Sequence, residues 1–188
     1  MARWQPNARG RLEEAALELY AERGYGQTTV AEIAERAGLT ERTFFRYFAD
    51  KREVLFWGQA LLTELVVNGV VGAPDSASPL DAVGAGLMAA GAMFEGRYGV
   101  ARRRQAVIAA NPGLQERELM KLASLSSVMA DALRHRGVGD GAARLIAETG
   151  VSVFKVAFER WVGGAESTDL AQVIGESLEE LKILTATI

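Results

Sequence analysis

The sequence predicts an all-α protein, and three observations carry that expectation. Apolar residues recur at helical spacing from Leu12 to Leu184, no stretch alternates convincingly as a strand, and glycine or proline breaks separate the apolar runs. With 188 residues the chain suits a small module joined to a larger one, and the expected domains are 1–52 and 53–188.

The first helix is expected from Arg9 to Arg23, with Leu12, Ala15, Ala16 and Leu19 on one face and Gly24 ending it. Thr29 and Glu32 fit a capping box for a second helix, in which Val30, Ile33, Ala34 and Ala37 repeat at helical spacing until Gly38. Thr40 caps a third. Phe44 and Phe48 lie four residues apart on its buried side, while Glu41, Arg42, Thr43, Arg46 and Tyr47 project elsewhere. A helix with so narrow an apolar stripe must lie on a support, and the preceding helix supplies it. The result is a helix-turn-helix whose third helix keeps a polar face that the fold does not need, as a DNA-reading helix requires.

A fourth, long helix is expected to begin at Asp50, which with Glu53 fits another capping box, and to run through Val54, Leu55, Leu61, Leu62, Leu65 and Val66. Its amino end and Lys51 are expected to meet a DNA phosphate. The stretch from Gly72 to Pro79 has turn composition, and further helices are expected near 79–95, 101–110, 112–136, 139–162 and 168–186.

The residues from Thr28 to Thr40, then Thr43-Phe44-Phe45-Arg46-Tyr47-Phe48 and Lys51, closely resemble the DNA-binding segment of the TetR family of transcriptional regulators. The likeness extends back to Arg9 and forward through Asp50-Lys51-Arg52-Glu53-Val54-Leu55. Phe45 stands where that family more usually has tyrosine, so a phosphate contact from that hydroxyl is replaced by ring packing. The resemblance implies an N-terminal three-helix DNA-binding domain followed by a larger helical domain for ligand binding and dimerisation. It also implies a repressor released by a small apolar or amphipathic molecule. The expected DNA-binding residues are Thr28, Thr29, Thr40, Arg42, Thr43, Phe45, Arg46, Tyr47 and Lys51, acting on a palindromic double-stranded operator.

Overall charge looks wrong for such a role, since the net charge is −3 and the isoelectric point is about 5.4. Placement decides the matter. Residues 1–52 hold nine Lys/Arg against eight Asp/Glu, and Arg42, Arg46, Lys51 and Arg52 cluster around the third helix. Screening confines such contacts to about 8–10 Å at physiological salt, so local cations can grip phosphates on an acidic protein.

The chain has no cysteine, which removes disulfides and thiolate metal sites, and its one histidine, His135, sits between arginines near a helix end. No catalytic constellation, metal site or cofactor is expected. An enzyme therefore fares poorly; a helical adaptor is the better rival, but it has no use for Arg42, Thr43 and Arg46 on an exposed face. The N-terminus lacks the apolar run of a signal peptide and no apolar run looks long enough to span a bilayer, so the protein is expected to be cytoplasmic, without a membrane partner.

In the second domain, Trp57, Leu61, Leu65, Met88, Met93, Phe94, Met129, Phe154 and Phe158 either line a small-molecule pocket or fill the core. The run Arg102-Arg103-Arg104, with Asn111-Pro112 and Arg117, resembles a branch of the family associated with acyl-CoA-like ligands; these arginines either hold ligand phosphates or pair with neighbouring acids. The last two helices carry a small-residue face and a long apolar one. Ile146, Gly150, Val153, Ala157, Ile174, Leu178 and Leu181 are expected in a four-helix seam with a second copy, because one helix-turn-helix reads too few base pairs alone.

Overall fold

The computed structural model describes residues 7–164 and 168–186, and among these it has α-helices, two 3₁₀ turns and no strand. The helices are α1 (Ala8–Arg23), α2 (Val30–Arg36), α3 (Glu41–Tyr47), α4 (Gln59–Gly72), α5 (Pro79–Gly91), α6 (Tyr98–Ala109), α7 (Pro112–His135), α8 (Asp140–Gly163) and α9 (Leu170–Ala186). They form two compact units. The first comprises the chain through Gly58 together with Val100–Glu116, and the second comprises Gln59–Gly99 with the chain from Arg117 onward.

The first unit's core gathers Leu12, Ala16 and Leu19 of α1, Ile33 of α2 and Phe44 of α3 around Val54 and Phe56. Val107 and Ile108 of α6 and Leu114 of α7 complete it. A division at 52/53 leaves these later residues out, because nothing local in 100–116 says which core its apolar stripe joins. Arg103 ties this segment to α1 through Glu14 at 2.7 Å, and that hydrogen bond holds the Glu14 carboxyl below its usual range. Arg104 donates to the Leu55 carbonyl at 2.6 Å and lies over the Phe56 ring. Of the two readings of the arginine run, Arg103 follows the ion-pair one, and Arg104 is engaged by backbone rather than held open for a phosphate.

The fourth helix departs from expectation. Glu53–Leu55 is a 3₁₀ turn, and α4 proper starts only at Gln59. Asp50 accepts from the amides of Arg52 at 2.8 Å and Glu53 at 3.2 Å, which closes a tight turn instead of opening a long helix. Residues 53–72 reach a mean hydropathy of 1.5, enough by length and composition to suit a bilayer, contrary to the sequence reading. The break matters here: α4 alone has 14 residues, about 21 Å of helix against a hydrocarbon thickness of about 30 Å.

In the second unit α5 packs against α4, α8 and α9 through Ala82, Val83, Gly84, Gly86, Leu87, Ala90 and Gly91, while Met88 and Ala89 stay exposed. Its glycines set how closely the neighbours approach. A methyl on Gly86 would lie 2.4 Å from the Val66 carbonyl oxygen of α4, and one on Gly69 would lie 2.4 Å from Gly86 Cα. On other faces, Gly84 receives Leu178 of α9 and Val83 fits against Gly150 of α8.

Candidate nucleic-acid interface

The two short helices that matter are held by local chemistry. Thr29 caps α2 with both halves of the box formed: its hydroxyl accepts from the Glu32 amide at 3.3 Å, and Glu32 accepts from the Thr29 amide at 2.8 Å. The Thr29 hydroxyl also donates to the Glu32 carboxylate at 2.9 Å, and these hydrogen bonds from the Thr29 amide and hydroxyl hold that carboxylate below its ordinary range. Gly38, at φ 64°, makes the turn, and the Leu39 amide closes it on the Ala34 carbonyl at 2.8 Å. Arg11 reaches from α1 to donate to the Ala37 carbonyl at the same turn. Thr40 then caps α3 by accepting from the Thr43 amide at 3.2 Å, and the two threonine hydroxyls lie 3.0 Å apart.

Phe44 and Phe48 are buried, as their spacing predicts, so α3 presents its opposite face outward. Arg42 is exposed with no hydrogen bond or ion pair among the described residues. Phe45 is 54% exposed and packed edge-on to Phe44. Arg46 lies 4.9 Å over the Tyr47 ring and donates to its hydroxyl at 3.2 Å. Arg42, Thr43, Phe45, Arg46 and Tyr47 thus belong to one short helix that shows solvent a mixture of charge, hydroxyl and ring.

Two expected DNA-binding residues are placed elsewhere. Thr28 is 1% exposed, and its hydroxyl donates to the Gly24 carbonyl at 3.0 Å. Lys51 is turned inward: its ammonium donates to the carbonyls of Tyr25 and Thr28, both at 2.8 Å, and sits 4.5 Å from the Tyr25 ring. Tyr20 completes the arrangement by donating its hydroxyl to the Lys51 carbonyl at 2.7 Å, while burial pushes that hydroxyl's ionisation upward. Lys51 therefore clasps the loop that delivers Thr29 to its cap. Lys51→Gln is expected to lower the stability of the protein by about 2 kcal/mol while leaving the salt dependence of DNA binding unchanged. An unchanged melting temperature with a flatter salt slope would instead make Lys51 a phosphate ligand.

The residues expected around a ligand fall into separate places. Trp57 belongs to the first unit, packed on its core and 5.3 Å beneath Arg9, because the chain turns after Leu55 rather than continuing as helix. In the second unit, Phe94 meets Phe158 edge-on at 5.7 Å, and Phe154 stacks on Phe158 at 6.0 Å. Trp161 joins this cluster and donates to the Thr168 carbonyl at 2.8 Å, a member that the sequence reading missed although its helical spacing from Phe154 and Phe158 marks it. Met129 is fully buried; Leu61 and Met88 are exposed, and Leu65 and Met93 are half-buried.

Most residues expected in the dimer seam pack inside the second unit of a single chain. Gly150, Ala157, Ile174 and Leu178 are buried within their own unit, and Ile146 is half-buried. Only Val153 and Leu181 reach an open groove of about 280 Å³, where Thr149, Ser152 and Val156 of α8 face Ser177, Glu180 and Leu184 of α9. Both rows repeat at i, i+3, i+4, i+7, and an offset of one residue, about 100° around the helix, separates this outward stripe from the inward one.

Residues 12–56 match the family described as bacterial regulatory proteins, tetR family, and residues 77–184 match the MftR C-terminal domain. A Mycobacterium tuberculosis protein named as a transcriptional regulator of mycofactocin biosynthesis, MftR, is 30% identical over 89% of this chain and 86% of its own. Among solved structures, Thermus thermophilus FadR in complex with lauroyl-CoA aligns at a TM-score of 0.56 and 23% identity, covering 91% of each chain. FadR from Bacillus subtilis in complex with stearoyl-CoA aligns at 0.58 and 20%, covering 90% of this chain and 95% of its own. At those identities the two structures share the fold.

Proposed function

Because the chain belongs to the TetR family and is a DNA-binding transcriptional regulator, not an enzyme, we propose that it acts in the cytoplasm as a homodimeric repressor. It reads a palindromic operator and is released by a small apolar or amphipathic effector. The observation that carries the DNA-reading assignment is Arg42, an exposed cation in the first turn of α3 without any partner among the described residues. Arg42 and Thr43 read base edges, Phe45 offers its ring to a thymine methyl or sugar, and Arg46 and Tyr47 hold phosphate. Thr29 and Thr40 act through the caps that they make.

Arg42→Ala is expected to weaken operator binding by about 1–3 kcal/mol and to relax one operator position. Selecting bound duplexes from a random pool gives the operator, and repeating the selection with the variant checks the relaxation. Unchanged affinity and preference would remove α3 as the reading helix.

The second copy seats on the α8/α9 groove, whose outward rim includes Val156 at 50% and Leu184 at 62% exposure. Two-fold pairing there would supply the two reading helices that a palindrome needs. For the effector, an acyl-CoA-like amphipath suits the aromatic cluster of Phe94, Phe154, Phe158 and Trp161 in the second unit, and the FadR complexes give that chemistry a precedent on this fold. An inducer must weaken operator binding by the same factor by which operator weakens inducer binding. Titrating acyl-CoAs of graded chain length against the protein, with and without operator, tests this reciprocity; a compound that binds without it is an incidental guest.

A further inference from the structure

The cations of the first unit sort sharply by partner. Arg23 pairs with Glu32, Arg36 with Glu18 and Glu22, Arg52 with Asp50 and Arg103 with Glu14. Arg11, Lys51 and Arg104 are used by backbone carbonyls. Arg9 is exposed on the first turn of α1 and, like Arg42, Arg46 and Arg102, meets neither a carboxylate nor a carbonyl among the described residues. Its guanidinium instead lies 5.7 Å from the Tyr47 ring centroid and 5.3 Å from that of Trp57.

From this geometry we infer that Arg9 is a ligand of the DNA backbone, sharing one phosphate with Arg46 and the Tyr47 hydroxyl. The inference rests on the DNA-reading role proposed above and adds α1 to the interface. Two guanidinium groups approach one tyrosine, Arg9 at 5.7 Å and Arg46 at 4.9 Å, and among the described residues no carboxylate joins them there. Flat rings orient both forks, but they leave the N–H donors of Arg9 open and two like charges uncompensated. The Tyr47 hydroxyl accepts from Arg46 at 3.2 Å, so its own proton remains to be donated. An anionic oxygen satisfies this set at once, and arginine's planar fork matches a phosphate in particular. Arg9 sits on a capped helix start, where the Asn7 side chain accepts from the Gly10 amide at 2.9 Å. Phosphate binding from this position also offsets what Phe45, without a hydroxyl, and Lys51, turned inward, do not supply.

The test is a salt series with a mixed-sequence duplex and with the selected operator, using the full chain and its Arg9→Gln, Arg9→Lys and Arg42→Ala variants. Arg9→Gln is expected to weaken binding to both duplexes by the same factor and to flatten the slope of log affinity against log salt by about 0.9 per protomer. Arg9→Lys keeps the charge and is expected to keep the slope, while Arg42→Ala loses operator preference. If Arg9→Gln retains the full slope, whether affinity is intact or falls along with the melting temperature, Arg9 is structural and the inference is overturned. A shift in which operator base is preferred would make it a base reader and overturn the inference equally. If the unaltered protein binds neither duplex, it is the DNA-reading proposal that fails.

Discussion

Gly150→Glu is expected to unfold the second unit, not to separate a dimer. A methyl at this position would already lie 2.5 Å from Val83 Cγ1, with Leu87 and Met129 each 3.7 Å away. Overpacking of this kind costs about 1–3 kcal/mol. A carboxylate sealed among these apolar side chains would add a further penalty of about 3 kcal/mol or more. Against a total stability of about 5–15 kcal/mol for a domain, that is enough to populate unfolded chains. Thermal melting followed by far-ultraviolet circular dichroism checks it. A variant that melts like the unaltered protein but sediments as a monomer would return Gly150 to the seam.

The contrast shows where the sequence was legible. The helix-turn-helix could be read because its determinants are local: Thr29 with Glu32, Gly38 at positive φ and Thr40 with Thr43 all act within a few residues. Phe44 and Phe48 gave the buried face of α3, and the outward face followed by subtraction. Lys51 defeated the same reasoning. Its partners, Tyr25 and Thr28, lie more than twenty positions away, and no periodicity says whether a lysine stem folds inward or outward. Thr28 shares that fate, since being next to a capping residue fixes the backbone but not the side on which its hydroxyl falls.

In the second unit the difficulty is an excess of apolar signal. α8 is apolar on two faces, and spacing alone cannot say which meets α5 and which meets solvent. The small residues suggest close approach correctly, but the close approach is to Val83 within the same chain. For α4 and α6 the ambiguity concerns membership. The turn at Phe56, where φ is −122° and ψ is 5°, interrupts an apolar run with no proline or glycine before Gly58 to announce it. Val107 and Ile108 read as ordinary helix-face residues whichever core they enter.

Val156→Arg should separate the function of the outward face from that of the inward one. Val156 is half exposed and lines the α8/α9 groove with Val153, Leu181 and Leu184, so arginine there can leave through solvent in a single chain and the second unit should melt within about 0.5 kcal/mol of the original. Across a two-fold seam the same residue meets its own copy or the copy's groove, and desolvating it there costs far more than the lost valine. The expected result is a well-folded monomer. Operator affinity should then fall by about 10²–10⁴, because the second half-site no longer benefits from the high effective concentration that tethering gives. Binding to an isolated half-site should be unchanged, since α2 and α3 are untouched. Sedimentation velocity and titration of full and half operators measure the two effects independently. A Val156→Arg protein that remains dimeric and binds the full palindrome at the original affinity would place the second copy on another surface.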